Sequence, residues 1–115
     1  MALPLTPHHL VAAYEFLNQF LAYWAGKNNM SADEDFAKVI KTKINYQLAE
    51  IYYLYLEEQV KALKYYKFIV DNVDDPLWQV KSLEKMADIN FSFAKNYQEA
   101  IRAYQVLMQV KPRLK

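Results

Sequence analysis

The chain has 115 residues, 54% of them apolar, with one glycine, four prolines, no cysteine and a formal net charge of +1. The apolar fraction excludes a disordered chain, and the lack of cysteine excludes disulfides and thiolate metal sites. The near-zero net charge provides no global field that would attract nucleic acid or acidic membranes. Because all-β folds need many turns and usually more glycine, the composition favours one all-helical domain over residues 1–115.

The first predicted helix covers residues 6–26, with Thr6 as its N-cap and Pro7 at its first position. Gly26 is the expected end of this helix, because glycine adopts the left-handed conformation that stops helices. The apolar positions follow helical spacing: Leu10, Ala13, Tyr14, Leu17, Phe20, Leu21 and Trp24. The segment is too short and too polar for a membrane span. We expect it to pack against helix 2 and to close the N-terminal end of the domain.

Helix 2 is predicted to run unbroken from about residue 32 to about residue 57, which is long for a globular protein. Ser31 and Glu34 form a capping-box pattern at its start. The predicted buried face recurs every three or four residues: Phe36, Ile40, Ile44, Leu48, Ile51 and Tyr55. A weak turn at residues 57–59 is expected to end the helix.

Three further helices follow. Helix 3 ends at "NVDDP", helix 4 starts with Asp75 as cap and Pro76 as its first residue, and helix 5 begins after a turn at 94–96 and stops before Pro112. The predicted apolar faces are Leu63, Tyr66, Ile69, Val70 and Val73 in helix 3, Leu77, Val80, Leu83, Met86, Ala87 and Asn90 in helix 4, and Ala100, Ile101, Tyr104, Leu107 and Met108 in helix 5.

The second half of the chain contains an internal repeat. When the sequence is displaced along itself, identical residues coincide, and four such pairs are Ala49 with Ala87, Ile51 with Ile89, Ala62 with Ala100, and Tyr66 with Tyr104. We call the separation within these pairs, which is the same in all four, the repeat displacement. Small residues let two helices cross closely, and large residues fill the space beside the crossing. A fixed period of about 38 residues indicates stacked helix pairs.

The residues Tyr97, Ala100, Tyr104 and Pro112 resemble the second helix of a tetratricopeptide (TPR) repeat. The preceding unit is similar through Ala49, Ala62 and Tyr66, so the resemblance covers residues 43–112, with a period of about 38 residues where the family has about 34. The resemblance implies a short right-handed α-solenoid of antiparallel helix pairs with five helices. Its parts would be an N-terminal helix at 6–26, a first repeat at 32–74 with an extended first helix, and a second repeat at 75–112.

In TPR-like stacks the first helix of each pair lines a concave groove. The groove positions implied here are Lys43, Tyr46, Glu50, Tyr53 and Leu54, followed by Lys81, Glu84, Asp88, Phe91 and Ser92. Aromatic anchors among both signs of charge are typical of a surface that binds a peptide or helix of a protein partner. For Tyr53 and Phe91, packing between the two units is an equal alternative, whereas Tyr46 is the stronger groove candidate.

The other tyrosines of this region are assigned to packing. The resemblance makes Tyr66 and Tyr104 core residues, and Tyr52 and Tyr55 are expected to hold helix 2 to its neighbours. Tyr65 is expected to point outward, toward the lysines of helix 3.

No residue set predicts catalysis, a metal or a cofactor. His8 and His9 diverge by about 100° on a helix and cannot chelate one ion together. The acidic pairs at 57–58 and 74–75 lie at turns, without the opposed carboxylates that acid–base chemistry needs. We therefore predict a non-enzymatic protein. The N-terminus lacks a signal-peptide pattern, which favours the cytoplasm, with the periplasm as the alternative if a segment precedes Met1.

Two alternative functions remain open. The first is self-assembly into homo-oligomers through apolar residues on the outer faces of helix 1 (Leu3, Leu5, Phe16, Tyr23) and helix 5 (Ala103, Val106, Val110). The second, which we favour least, is a nucleic-acid adaptor that uses Lys61, Lys64 and Lys67 beside Tyr65 and Phe68. Acidic residues at both ends of helix 3 oppose the second alternative.

Overall fold

The computed structural model describes the backbone of residues 6–28 and 31–114, and the side chains of residues 6–23 and 36–114. The described backbone contains helices and no strand, so the predicted all-α class with five α-helices is confirmed. In chain order these are α1 (Pro7–Asn28), α2 (Ser31–Glu50), α3 (Gln59–Asn72), α4 (Pro76–Ser92) and α5 (Tyr97–Val110). A π-helical segment at Ile51–Tyr55 follows α2, and a 3₁₀ turn at Lys111–Arg113 follows α5.

Side-chain caps begin two helices where the sequence predicted them. The Thr6 hydroxyl accepts a hydrogen bond from the His9 N–H at 3.2 Å, and the Asp75 carboxylate accepts one from the Leu77 N–H at 3.0 Å. Each cap satisfies a backbone donor that has no partner inside the helix. A capping residue directly before Pro7 and before Pro76 was therefore a sufficient signal for the start of each helix.

The predicted end of helix 1 is wrong, because α1 continues through Gly26 to Asn28. Glycine stops a helix only where the chain turns left-handed, and here it stays within the helix. Residues 29–30 lie outside the described part of the chain. The capping pattern of Ser31 and Glu34 also involves side chains outside the described set.

The prediction of one unbroken α-helix to residue 57 is wrong as well. The helix changes to the wider π geometry at Ile51–Tyr55. A π turn adds a residue to the helical repeat and so rotates the side chains that follow. Tyr52 stays in the core region, but Tyr55 is 68% exposed, so its predicted packing role is wrong.

Each helix packs against its neighbours in sequence, and α1 covers α2 as predicted. Two groups of buried side chains form the core. The first joins α1, α2, the π segment, α3 and α4 and includes Val11, Ile44, Leu48, Ala49, Ile51, Ala62, Tyr65, Tyr66 and Ile89. The second joins α4 and α5 through Val80, Leu83, Ala87, Ala103 and Leu107. Met86 packs against both groups, which makes the core continuous.

The predicted faces of helices 2 and 4 are buried in their middle and exposed at their first residue. Ile44 and Leu48 are 5% and 0% exposed, whereas Phe36 and Leu77 are 67% and 47% exposed. A regular helical spacing identifies the side of the helix that faces the core. It does not show how far along the helix the neighbouring helix extends.

The chain makes the same turn after the π segment and after α4. Glu57 and Lys95, which the repeat displacement relates, have positive φ angles of 53° and 56°. In each turn the N–H just before this residue bonds the carbonyl five residues back, and the N–H just after it bonds the carbonyl six residues back. The small residues Ala49, Ala62, Ala87 and Ala100, which share this displacement, are at most 1% exposed. The handedness and concavity of a TPR-like solenoid stay predictions.

Glycine at these two turns should stabilise the protein relative to alanine. A side chain with a Cβ costs about 1–2 kcal/mol in the left-handed conformation, and glycine avoids this cost. We expect the free energy of unfolding of Glu57→Gly to be about 1 kcal/mol higher than that of Glu57→Ala. Lys95→Gly should likewise be more stable than Lys95→Ala. Urea unfolding of the four variants measures this. Alanine variants at least as stable as the glycine variants would contradict the turn geometry.

Candidate functional site

Most of the predicted groove residues lie on two facing elements, α2 with its π segment and α4. We call this region the α2–α4 surface, and it comprises Lys43, Tyr46, Glu50, Tyr53, Trp78, Lys81, Glu84, Lys85 and Asp88. Lys43, Lys81, Glu84 and Asp88 are exposed, and the others are partly buried. Helical spacing of three or four residues places the members from each element along one line.

Tyr46 and Trp78 form the centre of this surface. Their rings meet edge to face with centroids 5.2 Å apart, and the Tyr46 ring also contacts the buried Tyr66 ring at 5.7 Å. The Lys81 ammonium lies 5.4 Å from the centroid of the Trp78 ring, a cation–π distance. Tyr46 is thus held from below by the core and from the side by α4, and part of its ring reaches solvent.

Trp78 is a member that the sequence reasoning missed. It precedes Lys81 by three residues, so a helical projection of α4 would have placed it on the same side as the predicted groove residues. The predicted groove of the second unit begins at Lys81 and therefore does not include Trp78.

Tyr53 connects the π segment to α4. Its hydroxyl donates a hydrogen bond to the Asp88 carboxylate, and the Lys85 ammonium lies 5.0 Å from the centroid of its ring. The Tyr53 ring also meets Phe93 edge to face at 6.1 Å. Tyr53 therefore lies at the surface and simultaneously fixes the distance between the two elements.

Phe91 is the predicted groove residue that the structure places elsewhere. Its ring is 55% exposed and meets Tyr97 of α5 with centroids 5.5 Å apart. Phe91 thus extends the surface of α5 rather than that of α2 and α4.

Burial, hydrogen bonding and nearby carboxylates raise the pKa values of two tyrosine hydroxyls on this surface. Burial, followed by the nearby Glu50 and Glu84 carboxylates, raises the pKa of Tyr46 to about 12. The hydrogen bond to Asp88, followed by burial, raises the pKa of Tyr53 to about 12. Both phenols therefore remain hydrogen-bond donors over the whole physiological range.

The stability of the protein should fall at alkaline pH, and these two groups contribute to the fall. Unfolded tyrosines release protons near pH 10, whereas Tyr46 and Tyr53 in the folded protein hold theirs to about pH 12. The unfolded state thus binds fewer protons in this window, and the free energy of unfolding decreases as pH rises through it. The midpoint of urea unfolding can be measured at several pH values between about 10 and about 12. It should fall less steeply with increasing pH for Tyr53→Phe than for the unchanged protein. Parallel slopes would contradict the hydrogen bond to Asp88.

A carboxylate of α1 anchors that helix to the core. The Tyr65 hydroxyl donates to Glu15 Oε1 at 2.8 Å, the Tyr52 hydroxyl approaches the same oxygen at 3.5 Å, and the two tyrosine rings stack at 5.6 Å. We call Glu15, Tyr52 and Tyr65 the Glu15 clamp. Tyr65 is 8% exposed, so its predicted outward orientation is wrong. A polar residue inside an apolar helix was the available signal, but a single sequence does not show which hydroxyls it meets.

The lysines of α3 do not form a free basic strip. Lys61 pairs with Glu58 at 3.3 Å, and Lys67 pairs with Asp71 at 2.7 Å. The Lys64 ammonium lies 5.3 Å from the centroid of the Tyr65 ring. Carboxylates within α3 or directly before it therefore pair with two of the three lysines, which weakens the basis of the nucleic-acid alternative.

The prediction that the outer face of helix 5 contains Ala103, Val106 and Val110 is wrong. Ala103 is 6% exposed, and Val106 and Val110 pack against the second buried group. The predicted core position Tyr104 is instead 47% exposed. On α1, Phe16 is 64% exposed as predicted, and Leu3 and Leu5 lie outside the described residues. The buried face of α5 follows Ala100, Ala103 and Leu107, so the helix is rotated from its predicted orientation.

The described residues contain no group of three or more His, Cys, Asp or Glu that could hold a metal ion. Asp75 caps α4, and Asp74 pairs with Arg113 at 3.3 Å.

None of the helices in the described part of the chain has the length and apolar character needed to cross a membrane. Comparisons of the chain with protein-family models, with curated proteins and with solved structures found no match.

Proposed function

We propose that this protein is a non-enzymatic interaction module that binds a peptide or helix of a partner protein on the α2–α4 surface. We further propose that its two helix pairs form a TPR-like stack, so that this surface is the inner, concave side. The matching turns at Glu57 and Lys95 support the stack, because the same backbone conformation recurs at equivalent positions of the two units.

The observation behind the proposal is the Tyr46–Trp78 pair beside an open pocket. The pocket has a volume of about 570 Å³. Its lining comprises Tyr14, Ile40, Lys43, Ile44, Tyr46, Gln47 and Trp78. Such a pocket accepts an apolar anchor side chain of a partner, and aromatic walls supply large contact area with few rotatable bonds.

The tyrosine is already held in place before any partner arrives. Tyr46 contacts Tyr66, which is fully buried, and Trp78 lies under the Lys81 ammonium. Side chains that are fixed in the free protein lose little conformational entropy on binding. The surface is thus suited to recognition rather than to chemistry.

Charges surround the aromatic pair on both sides. Lys43 and Lys81 lie close to the pocket, and Glu84 lies near enough to Tyr46 to affect its pKa. A partner segment with one apolar anchor flanked by both signs of charge would be complementary. An acidic residue next to the anchor would meet Lys43 and Lys81.

Selection of peptides of about 15 residues, long enough for roughly four helical turns, from a random displayed library tests the proposal. We expect selected peptides to bind with micromolar affinity or better in fluorescence anisotropy. The double variant Lys43→Glu/Lys81→Glu should weaken binding by at least about tenfold, because two attractive contacts become repulsive. Both lysines are exposed, so the fold should be unaffected.

The matched control is Lys95→Glu, an equally exposed lysine in the turn before α5. It changes the net charge in the same direction without touching the α2–α4 surface. Because the control carries one Lys→Glu change and the double variant two, a control that loses about half as much binding free energy as the double variant would mean that only overall charge matters. Unchanged affinity in the double variant would exclude this surface as the binding site.

A further inference from the structure

One face of α5 presents a row of large apolar side chains to solvent. Tyr97, Ile101, Tyr104 and Met108 are 52%, 56%, 47% and 75% exposed. Their separations of four, three and four residues are those of the a and d positions of a helix seam. Phe91 extends the row onto the end of α4 through its contact with Tyr97. We call these five residues the α5 face.

The equivalent face of α3 is covered by other helices. The repeat displacement relates Ile101, Tyr104 and Met108 to Leu63, Tyr66 and Val70. Tyr66 is fully buried, and Leu63 and Val70 pack against the two buried groups. The α5 face is thus the counterpart of a surface on which this chain already seats a helix.

We propose that a second copy of this chain covers the α5 face, with the two α5 helices antiparallel about a twofold axis. This goes beyond the proposed function, because α5 lies outside the α2–α4 surface. The row is self-complementary in that arrangement. Tyr97 lies opposite Met108 of the second copy, and Ile101 lies opposite Tyr104 of the second copy, so each ring meets an aliphatic or thioether group. Sulfur–aromatic contacts of this kind are favourable.

The charges beside the row favour an identical partner over a charged one. Gln98, Gln105 and Gln109 flank it, and Arg102 is paired with Glu99 on the same helix. Two identical faces therefore meet without like-charge repulsion. The net charge of +1 likewise opposes self-association only weakly.

The exposed area is sufficient for a weak dimer. Large side chains that are about half exposed contribute roughly 100 Å² each, so five per copy bury roughly 1,000 Å² in a dimer. The flanking glutamines add to this area and bring it to the lower end of specific interfaces, about 1,200 Å². We expect a reversible dimer with a dissociation constant on the order of 1–100 μM.

Sedimentation velocity of the full chain over a concentration series across that range tests the proposal. The unchanged protein should shift from monomer to dimer. Ile101→Glu/Tyr104→Glu should raise the dissociation constant at least tenfold, because four carboxylates then meet at the twofold axis. Both positions are exposed in the monomer, and circular dichroism checks that helix content is kept. The matched control on α1, Phe16→Glu/Phe20→Glu, should dimerise normally.

Charge complementation tests direct contact. A mixture of Ile101→Glu/Tyr104→Glu with Ile101→Lys/Tyr104→Lys should dimerise at least as well as the unchanged protein, although neither variant does so alone. Because the chain has no cysteine, a mixture of Tyr97→Cys and Met108→Cys should form mixed disulfides on mild oxidation.

Three results would overturn the proposal. These are a monomer throughout the concentration series, loss of association in the α1 control but not in the α5 variant, and a Met108→Cys protein that cross-links mainly with itself. The second result indicates association through α1, and the third indicates parallel helices.

Discussion

Replacement of Tyr66 by alanine should lower the free energy of unfolding by about 3–5 kcal/mol, whereas Tyr104→Ala should cost less than about 1 kcal/mol. The two residues occupy equivalent positions in the two repeated units, so the chemical change is the same. Tyr66 is fully buried, and its removal leaves a cavity in the first buried group, whereas Tyr104 is 47% exposed. Urea unfolding monitored by circular dichroism measures both changes.

Tyr66→Phe is the control that separates the ring from the hydroxyl. Among the described residues the buried Tyr66 hydroxyl has no hydrogen-bond partner, and burial is the main cause of its raised pKa. Removal of a buried hydroxyl without a partner should be neutral or slightly stabilising. Similar losses for Tyr66→Ala and Tyr104→Ala would contradict the difference in burial between the two helix pairs.

Replacement of Glu15 by alanine should lower the free energy of unfolding by about 2 kcal/mol, because hydrogen bonds to a charged acceptor are stronger than neutral ones. The Tyr65 hydroxyl would lose its partner at 2.8 Å in a largely buried position. Since the carboxylate belongs to α1 and both hydroxyls to other elements, α1 should also open more often. Hydrogen exchange of the α1 amides measures this opening separately from global unfolding.

A double-mutant cycle identifies the contact. Tyr65→Phe should remove most of the effect of Glu15→Ala, because both changes break the same hydrogen bond. Glu15→Ala effects that are equal in the two backgrounds would mean that the Glu15 clamp does not anchor α1.

The elements that local chemistry determines could be predicted from the sequence. Thr6 and Asp75 each precede a proline at a helix start, and both act as caps. The small residues Ala49 and Ala87 are fully buried, as expected where helices cross closely. These features depend on a few neighbouring residues, which the sequence shows directly.

The elements that depend on distant partners could not be predicted. No glycine or proline marks the change to π geometry at residue 51, and this change decides that Tyr52 is packed and Tyr55 is exposed. Tyr104 has the sequence context of Tyr66 but a different neighbourhood in space. Tyr65 turns inward because Glu15, far away in the sequence, accepts its hydrogen bond.

Some residues of the candidate site could be predicted from the sequence, and others could not. Spacing along α2 and α4 brought Lys43, Tyr46 and Lys81 to one surface, since helical periodicity fixes the side on which a residue lies. The predicted groove omits Trp78 and Lys85, whose contacts with Tyr46 and Tyr53 involve rings of the opposite element. Phe91 was misplaced because its ring turns toward α5.

The most direct test of binding on the α2–α4 surface is nuclear magnetic resonance of the isotope-labelled protein during addition of a selected peptide. We predict that the largest shifts occur at the Trp78 indole N–H and at the amides of Tyr46, Lys81 and Glu84, with the outer side of α5 and the part of α1 away from Tyr14 nearly unchanged. Shifts centred on α5 or α1, with Trp78 and Tyr46 unmoved, would contradict the proposed binding site.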